Sequence, residues 1–206
     1  MTKAQVLIPL ILLLAILAFI PRVNQTTTPN TEPLQIDEKW FITWGGSAYE
    51  SPRRIIYDGS CLYIYGRTLS YCDGEFPIFL AKYHMEGGLE WDTVYETPTL
   101  DVPQGYTLEG SHIYLTGTTY RGEGPSADLD VMLLKVDRES GELIWNASWG
   151  GAGFEGEPGL DYGKDVEILG DSIYVAGITT SDAANRNEQD ILLLRFDEGG
   201  ELIWQR

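Results

Sequence analysis

Beyond residue 40, apolar and polar residues alternate in short runs, and glycine interrupts the alternation at regular intervals. The pattern is clearest toward the C-terminus. There "DVEIL" (165–169), "SIYVAGI" (172–178), "DILLLRF" (190–196) and "ELIW" (201–204) show the alternation and β-branched content of strands. The first and second runs are joined by "GDS" from Gly170, the third and fourth by "DEGG" from Asp197. Both connections have the length and glycine content of tight hairpin turns, so the strands they join run antiparallel. A much longer polar loop separates the second and third runs. The predicted unit is a four-stranded antiparallel sheet.

The same pattern occurs three times, over about 40–91, 91–145 and 145–206. Trp40, Trp91, Trp145 and Trp204 mark the period, with spacings of 51, 54 and 59 residues. Within it Trp44, Tyr95 and Trp149 align, as do Tyr63, Tyr114 and Tyr174. Gly66, Gly117 and Gly177 form another aligned set, and Lys82, Lys135 and Arg195 a fourth. A four-stranded antiparallel unit in tandem is the sequence form of a β-propeller blade. The expected fold is therefore all-β: about three blades, an incomplete ring, since propellers close with about 4–8. A longer gene product or head-to-tail self-association of two chains would complete it. In the fourth strand Leu143, Trp145, Ala147 and Trp149 alternate onto one face, as do Leu89, Trp91, Thr93 and Tyr95. Aromatics so placed are expected to cover the next blade. The aligned cations are expected to lay their stems along a sheet edge with solvated heads. "EKWFITWGG" (38–46) reads as a fourth strand without a blade of its own, and "GGELIWQR" (199–206) as one cut short.

Ahead of the repeats stands "AQVLIPLILLLAILAFIP" (4–21), uncharged, with a fifteen-residue apolar run from Val6 to Ile20. That run sits at the upper end of a signal-peptide core and short of the ~20 residues of a full span. Residues 1–22 are thus expected to form a hydrophobic helix, a transmembrane anchor in preference to a cleaved signal peptide. Residues 23–38 have the Thr/Pro composition of a linker, and 39–206 hold the blades. This arrangement predicts an extracytoplasmic, cell-surface protein, with secretion after cleavage as the alternative. Asn24 and Asn146 head glycosylation sequons, Asn24 being the better acceptor because Asn146 falls in a predicted strand.

The chain is 43% hydrophobic and 12% aromatic, enough for a packed core, and carries a net charge of −17. A surface of that sign argues against nucleic acid as a partner. Cys61 and Cys72 are the only cysteines: they exclude a disulfide scaffold and a zinc-type spacing, and either pair with each other or stand as independent small side chains. Of the two histidines, His84 falls at the end of a third strand and His112 in the turn between a first and a second strand. His84 takes the place of Asp137 and Asp197 in the other units. No catalytic triad, P-loop or cofactor motif is present. Asp128, Asp130, Glu155 and Glu157 are candidates for calcium, against a solvated acidic loop.

"LLLRFDEGGELIW", "WNASWGGAGFEGE" and "SIYVAGITTS" resemble the SBBP-type β-propeller repeat of secreted and surface proteins of bacteria and archaea. The resemblance covers residues 40–204 and departs in the second unit, where "VYETPT" replaces the Trp-Gly-Gly corner. It implies a propeller and an extracytoplasmic setting, and no particular reaction. "VDRESGELIW" (136–145) is similar to the Trp-docking stretch of quinoprotein-like propellers, a likeness of blade packing only.

All the variation in connection length falls on one end of such blades, in segments 45–54, 67–77, 96–104, 118–130, 150–165 and 178–190. Together they carry −9, with Tyr49, Tyr71, Phe76, Tyr120, Phe154 and Tyr162 among them. The expected function is a binding module or scaffold taking a protein, peptide or glycan on this long-loop face. A hydrolase or oxidoreductase with its site on that face, built around Glu155 and Glu157, is the alternative from another class. A structural element of a surface assembly is the third.

Overall fold

The structure, a computed structural model, describes residues 41–71, 77–95, 102–122, 127–153, 157–181 and 188–206. Residues 1–40 lie outside it, and with them the expected anchor, linker, Trp40 and Asn24. Among the described residues twelve strands form three four-stranded antiparallel sheets, each a simple meander. The first sheet holds β1 (Glu50–Tyr57), β2 (Cys61–Thr68), β3 (Ile78–His84) and β4 (Leu89–Tyr95). The second holds β5 (Val102–Glu109), β6 (His112–Arg121), β7 (Asp128–Asp137) and β8 (Leu143–Trp149). The third holds β9 (Tyr162–Leu169), β10 (Ser172–Thr179), β11 (Asp190–Asp197) and β12 (Leu202–Gln205). These are the three blades the sequence repeat predicts, with β9 beginning three residues earlier than expected. The first of each set, β1, β5 and β9, are the inner strands.

Tight turns follow the inner strands at Gly59–Ser60, Gly110–Ser111 and Gly170–Asp171, with Gly110 at φ 57° and Gly170 at φ 59°. The repeat glycines of the second strands answer to a different constraint. Each inner strand skips one residue in its pairing: Arg53 in β1, Gln104 in β5 and Lys164 in β9. Such bulges bend a strand and push backbone out of the ladder. The displaced carbonyls of Ser51, Val102 and Tyr162 lie over Gly66, Gly117 and Gly177, in the space a Cβ would occupy.

The core lies between blades. Tyr63, Tyr65, Ile78, Leu80 and Tyr95 of the first pack against Ile113, Leu115, Met132, Leu134 and Val136 of the second. The opposite face of the second, with Tyr114, Val131 and Leu133, packs against Ile173, Val175, Leu192, Leu194 and Phe196 of the third. The middle blade is covered on both faces, which is why β7 reads as a continuous apolar run, "VMLL", and buries all four residues. The run "ILLL" in β11 has the same composition, yet Ile191 is 87% exposed while Leu192 and Leu194 are buried. Among the described residues nothing packs on that outer face of the third blade.

One motif repeats across three strands of every blade. Tyr63, Lys82 and Trp91 are cross-strand neighbours, as are Tyr114, Lys135 and Trp145, and Tyr174, Arg195 and Trp204. Each Tyr–Trp pair has ring centroids 6.1–6.3 Å apart, and each cation lies 5.5–5.9 Å from its tyrosine's ring centre. Here the expectation of cations along a sheet edge is corrected. The three sit on β3, β7 and β11, inside the sheets, and Lys82 is buried with its ammonium 2.6 Å from Glu90. The residues after Trp40 also depart from expectation. Phe41–Gly46 form no strand. A fourth strand exists only by pairing with the third strand of its own sheet, and none stands beside these residues among those described.

Candidate functional site

The aligned aromatics mostly reach into the next blade. Trp91 lies against Gly141, where an added Cβ would come within 2.6 Å of its ring, and Trp145 stands over Gly200 in the equivalent turn. Trp145 Nε1 donates to the Glu198 carbonyl at 3.2 Å, Tyr95 Oη to the Gly141 carbonyl at 2.9 Å, and Trp149 Nε1 to Gln205 Oε1 at 2.7 Å. Trp44 stacks on Phe79 at 4.1 Å. Trp204 has Tyr174 and Arg206 as ring partners within its own blade. Asn146 is exposed on β8.

The Trp-Gly-Gly corner organises a carboxylate. Gly46 N donates to Glu50 Oε1, which also accepts from the Thr68 and Ser70 hydroxyls. Gly151 N donates to Asp161 Oδ2, and Asp161 accepts from the Thr179 and Ser181 hydroxyls. In both corners a Cβ on the second glycine would meet the serine Cβ, at 2.7 Å for Gly46 and 2.6 Å for Gly151. In the second blade Arg121 occupies the serine position and pairs instead with Asp130 of β7. Burial pushes the Asp130 carboxyl up, against the opposing pull of Arg121. Asp128 Oδ1 accepts from Gly159 N at 2.8 Å. Two of the calcium candidates are thus committed to protein partners; Glu157 is exposed, and Glu155 lies outside the described residues. So do residues 72–76, 96–101, 123–126, 154–156 and 182–187 of the long connections, which include Cys72, Phe76 and Phe154.

A groove of about 480 Å³ opens along the inner strands instead, toward their tight-turn ends. Arg54, Ile56 and Tyr57 of β1 line it together with Tyr106 and Leu108 of β5 and Asp165 and Glu167 of β9. The β5 bulge fixes this arrangement. Freed from the ladder, the Gln104 carbonyl accepts from Tyr65 Oη at 2.7 Å and Arg54 Nε at 3.4 Å, both in the first blade. Its amide oxygen accepts from Lys164 Nζ of the third blade at 3.1 Å. One bulge residue therefore ties three blades together beside the groove. The sequence signal for it was the glycine of the next strand, which marks where a bulge must sit.

On the tight-turn end, Arg138 of the second blade clamps the first. Its guanidinium donates to Asp58 Oδ2 at 2.5 Å, Tyr63 Oη at 3.1 Å and the Gly110 carbonyl at 3.2 Å. Burial would raise the Asp58 pKa. The bonds from Cys61 N, Ser60 N, Arg138 and Tyr63 outweigh it and hold the carboxyl well below its usual range. Nearby, Cys61 is a free, buried thiol opposite His84, whose Nε2 lies 2.9 Å from Glu90 Oε1.

No family model matches the chain, and no curated protein does. Among solved structures it is similar to the Bombyx mori GH32 beta-fructofuranosidase BmSUC1, at 13% identity and a TM-score of 0.43. The match covers 77% of this chain and 34% of that one, so the chain spans about a third of its neighbour's length.

Proposed function

We propose that this chain is a non-enzymatic β-propeller binding module that takes a peptide segment in the inner-strand groove. The observation that carries this reading is the groove's opposed charge: Arg54 on one side, Asp165 and Glu167 on the other, with Tyr57 and Tyr106 in the lining. A peptide offers groups of both signs and apolar side chains to such a surface. The resemblance to SBBP-type repeats and the apolar segment at residues 4–21 support an extracytoplasmic, membrane-anchored setting. Probing peptide and glycan arrays with the full chain, with Arg54→Ala and with Asp165→Asn/Glu167→Gln tests the reading. Peptide signals lost in both variants are expected. Glycan-only signals, or peptide signals indifferent to both variants, contradict it.

A second reading, self-association, has its own observation. The outer face of the third blade presents Tyr174, Ile178, Ile191, Leu193 and Trp204, and the matching face is covered by the next blade in the first and second. Another copy's first blade is the proposed cover, a heterologous contact that two chains can close. Light scattering should then give twice the chain mass for the native protein and the single mass for Ile191→Glu/Leu193→Glu. A native monomer at high concentration counts against it.

A further inference from the structure

Each blade serves as a control for the other two; one site in the first blade breaks the repeat at two positions and carries a cysteine at a third, where the other two blades already differ. Cys61 stands where the second and third blades have His112 and Ser172. His84 stands where they have Asp137 and Asp197, and Glu90 where they have Ile144 and Ile203. The replaced aspartates had a structural task. Asp137 Oδ1 accepts from Glu139 N and Ser140 N, and Asp197 Oδ1 from Gly199 N and Glu201 N, closing the turn after the third strand. In the first blade backbone bonds alone hold this turn, His84 N to Gly88 O at 2.8 Å and Gly87 N to His84 O at 2.9 Å. The first blade thus gives up a turn cap for histidine and an apolar residue for glutamate.

The three side chains converge. Cys61 Sγ, a ring nitrogen of His84 and a carboxylate oxygen of Glu90 all lie within 4.8 Å of one another, and no other such group of three occurs among the described residues. The buried cation beside them, Lys82, engages only Oε2 of Glu90, at 2.6 Å; Oε1 is turned to His84 Nε2.

We infer that Cys61, His84 and Glu90 form a binding site for a zinc-type divalent cation. A thiolate, an imidazole and a carboxylate are the donors such borderline ions take, whereas calcium and magnesium take oxygen donors throughout. The cation takes the place of the proton between His84 Nε2 and Glu90 Oε1; that proton moves to Nδ1 of the neutral imidazole, and the thiol proton leaves to solvent. Thiolate and carboxylate together balance a charge of 2+. Tetrahedral zinc with bonds of about 2.0–2.3 Å sets its donors about 3.3–3.7 Å apart, so the His84–Glu90 pair opens slightly from 2.9 Å while Cys61 Sγ, within 4.8 Å of both, draws in. The His84 side chain, 57% exposed, has the freedom to do this. Lys82 Nζ, 2.6 Å from Glu90 Oε2, holds the other carboxylate oxygen and orients the ligand. Three protein donors leave a fourth position for water on the exposed side.

The test uses the full chain, reduced and stripped of metal, titrated with Zn²⁺ and with Co²⁺ as the spectroscopic probe. Cys61→Ser, His84→Asn and Glu90→Ile serve as variants; serine and isoleucine are the residues the third blade carries at these positions, and asparagine can cap the turn. One equivalent of Zn²⁺ per chain is expected, with a thiolate-to-cobalt charge-transfer band. Each variant should weaken Zn²⁺ binding at least about tenfold, and Cys61→Ser should abolish the band. No stoichiometric uptake by the native chain overturns the site. So does unchanged affinity in a variant whose circular dichroism matches the native chain.

Discussion

At the residue scale, the repeat glycines are explained by what lies above them. Gly117 is buried beneath the Val102 carbonyl, and neither can move without breaking the β5 bulge. Gly117→Ala should therefore cost about 1–3 kcal/mol, the usual scale of overpacking, and lower Tm by about 2–4 °C per kcal/mol. Gly88, whose nearest neighbour would be His84 at 3.7 Å, is the control: Gly88→Ala should leave Tm nearly unchanged in the same calorimetric scan. Asp58 gives a pH-dependent counterpart. Its folded pKa lies below the unfolded value, so its stabilisation is complete above about pH 4 and fades as pH falls through the folded value. Asp58→Asn leaves Arg138 and Tyr63 short of an acceptor and should cost about 1–3 kcal/mol at pH 7. Urea titrations should show that difference shrinking as pH drops below about 4; a constant difference would mean the carboxylate charge is irrelevant.

At the scale of the element, the third-to-fourth strand pairs carry the seal between blades. Trp145 covers the Gly200 turn of the next blade, whereas Trp204 holds the same place on its own sheet with no following turn among the described residues. Trp145→Ala should cost about 3 kcal/mol in chemical denaturation and Trp204→Ala clearly less. Equal costs would show that the outer face of the third blade is covered in solution. Strand positions were legible from sequence because alternation and tight turns are local, and three copies of one pattern reinforce each other. The bulges were not, since a skipped residue leaves the alternation of neighbours intact and shows only through the glycine across the ladder. Lys82 was misread for a related reason. A cation in an apolar run looks like an edge residue until Glu90, eight positions away in sequence, is seen to meet it. The convergence of Cys61, His84 and Glu90 was half visible: the repeat register exposes His84 as an exception, but only strand pairing brings the other two to it.

On the scale of the whole molecule, charge and shape act together. A chain of net charge −17 repels its own copies, so self-association through the third blade's apolar face should strengthen as salt screens that repulsion. Light scattering at rising ionic strength should show mass increasing; a decrease would point to ion pairing as the contact instead. Two places on the blades compete as the site of the proposed ligand. Length variation points to the long-loop face, whereas the bulged inner strands frame a groove nearer the tight turns, tied together at Gln104. Hydrogen exchange of the full chain with and without a peptide selected on the arrays separates the two most directly. The account predicts slowed exchange at Arg54–Tyr57, Gly105–Leu108 and Asp165–Glu167. Protection confined to residues 150–161 and 180–190, on either side of the β9–β10 pair, with those three stretches unchanged, would contradict it.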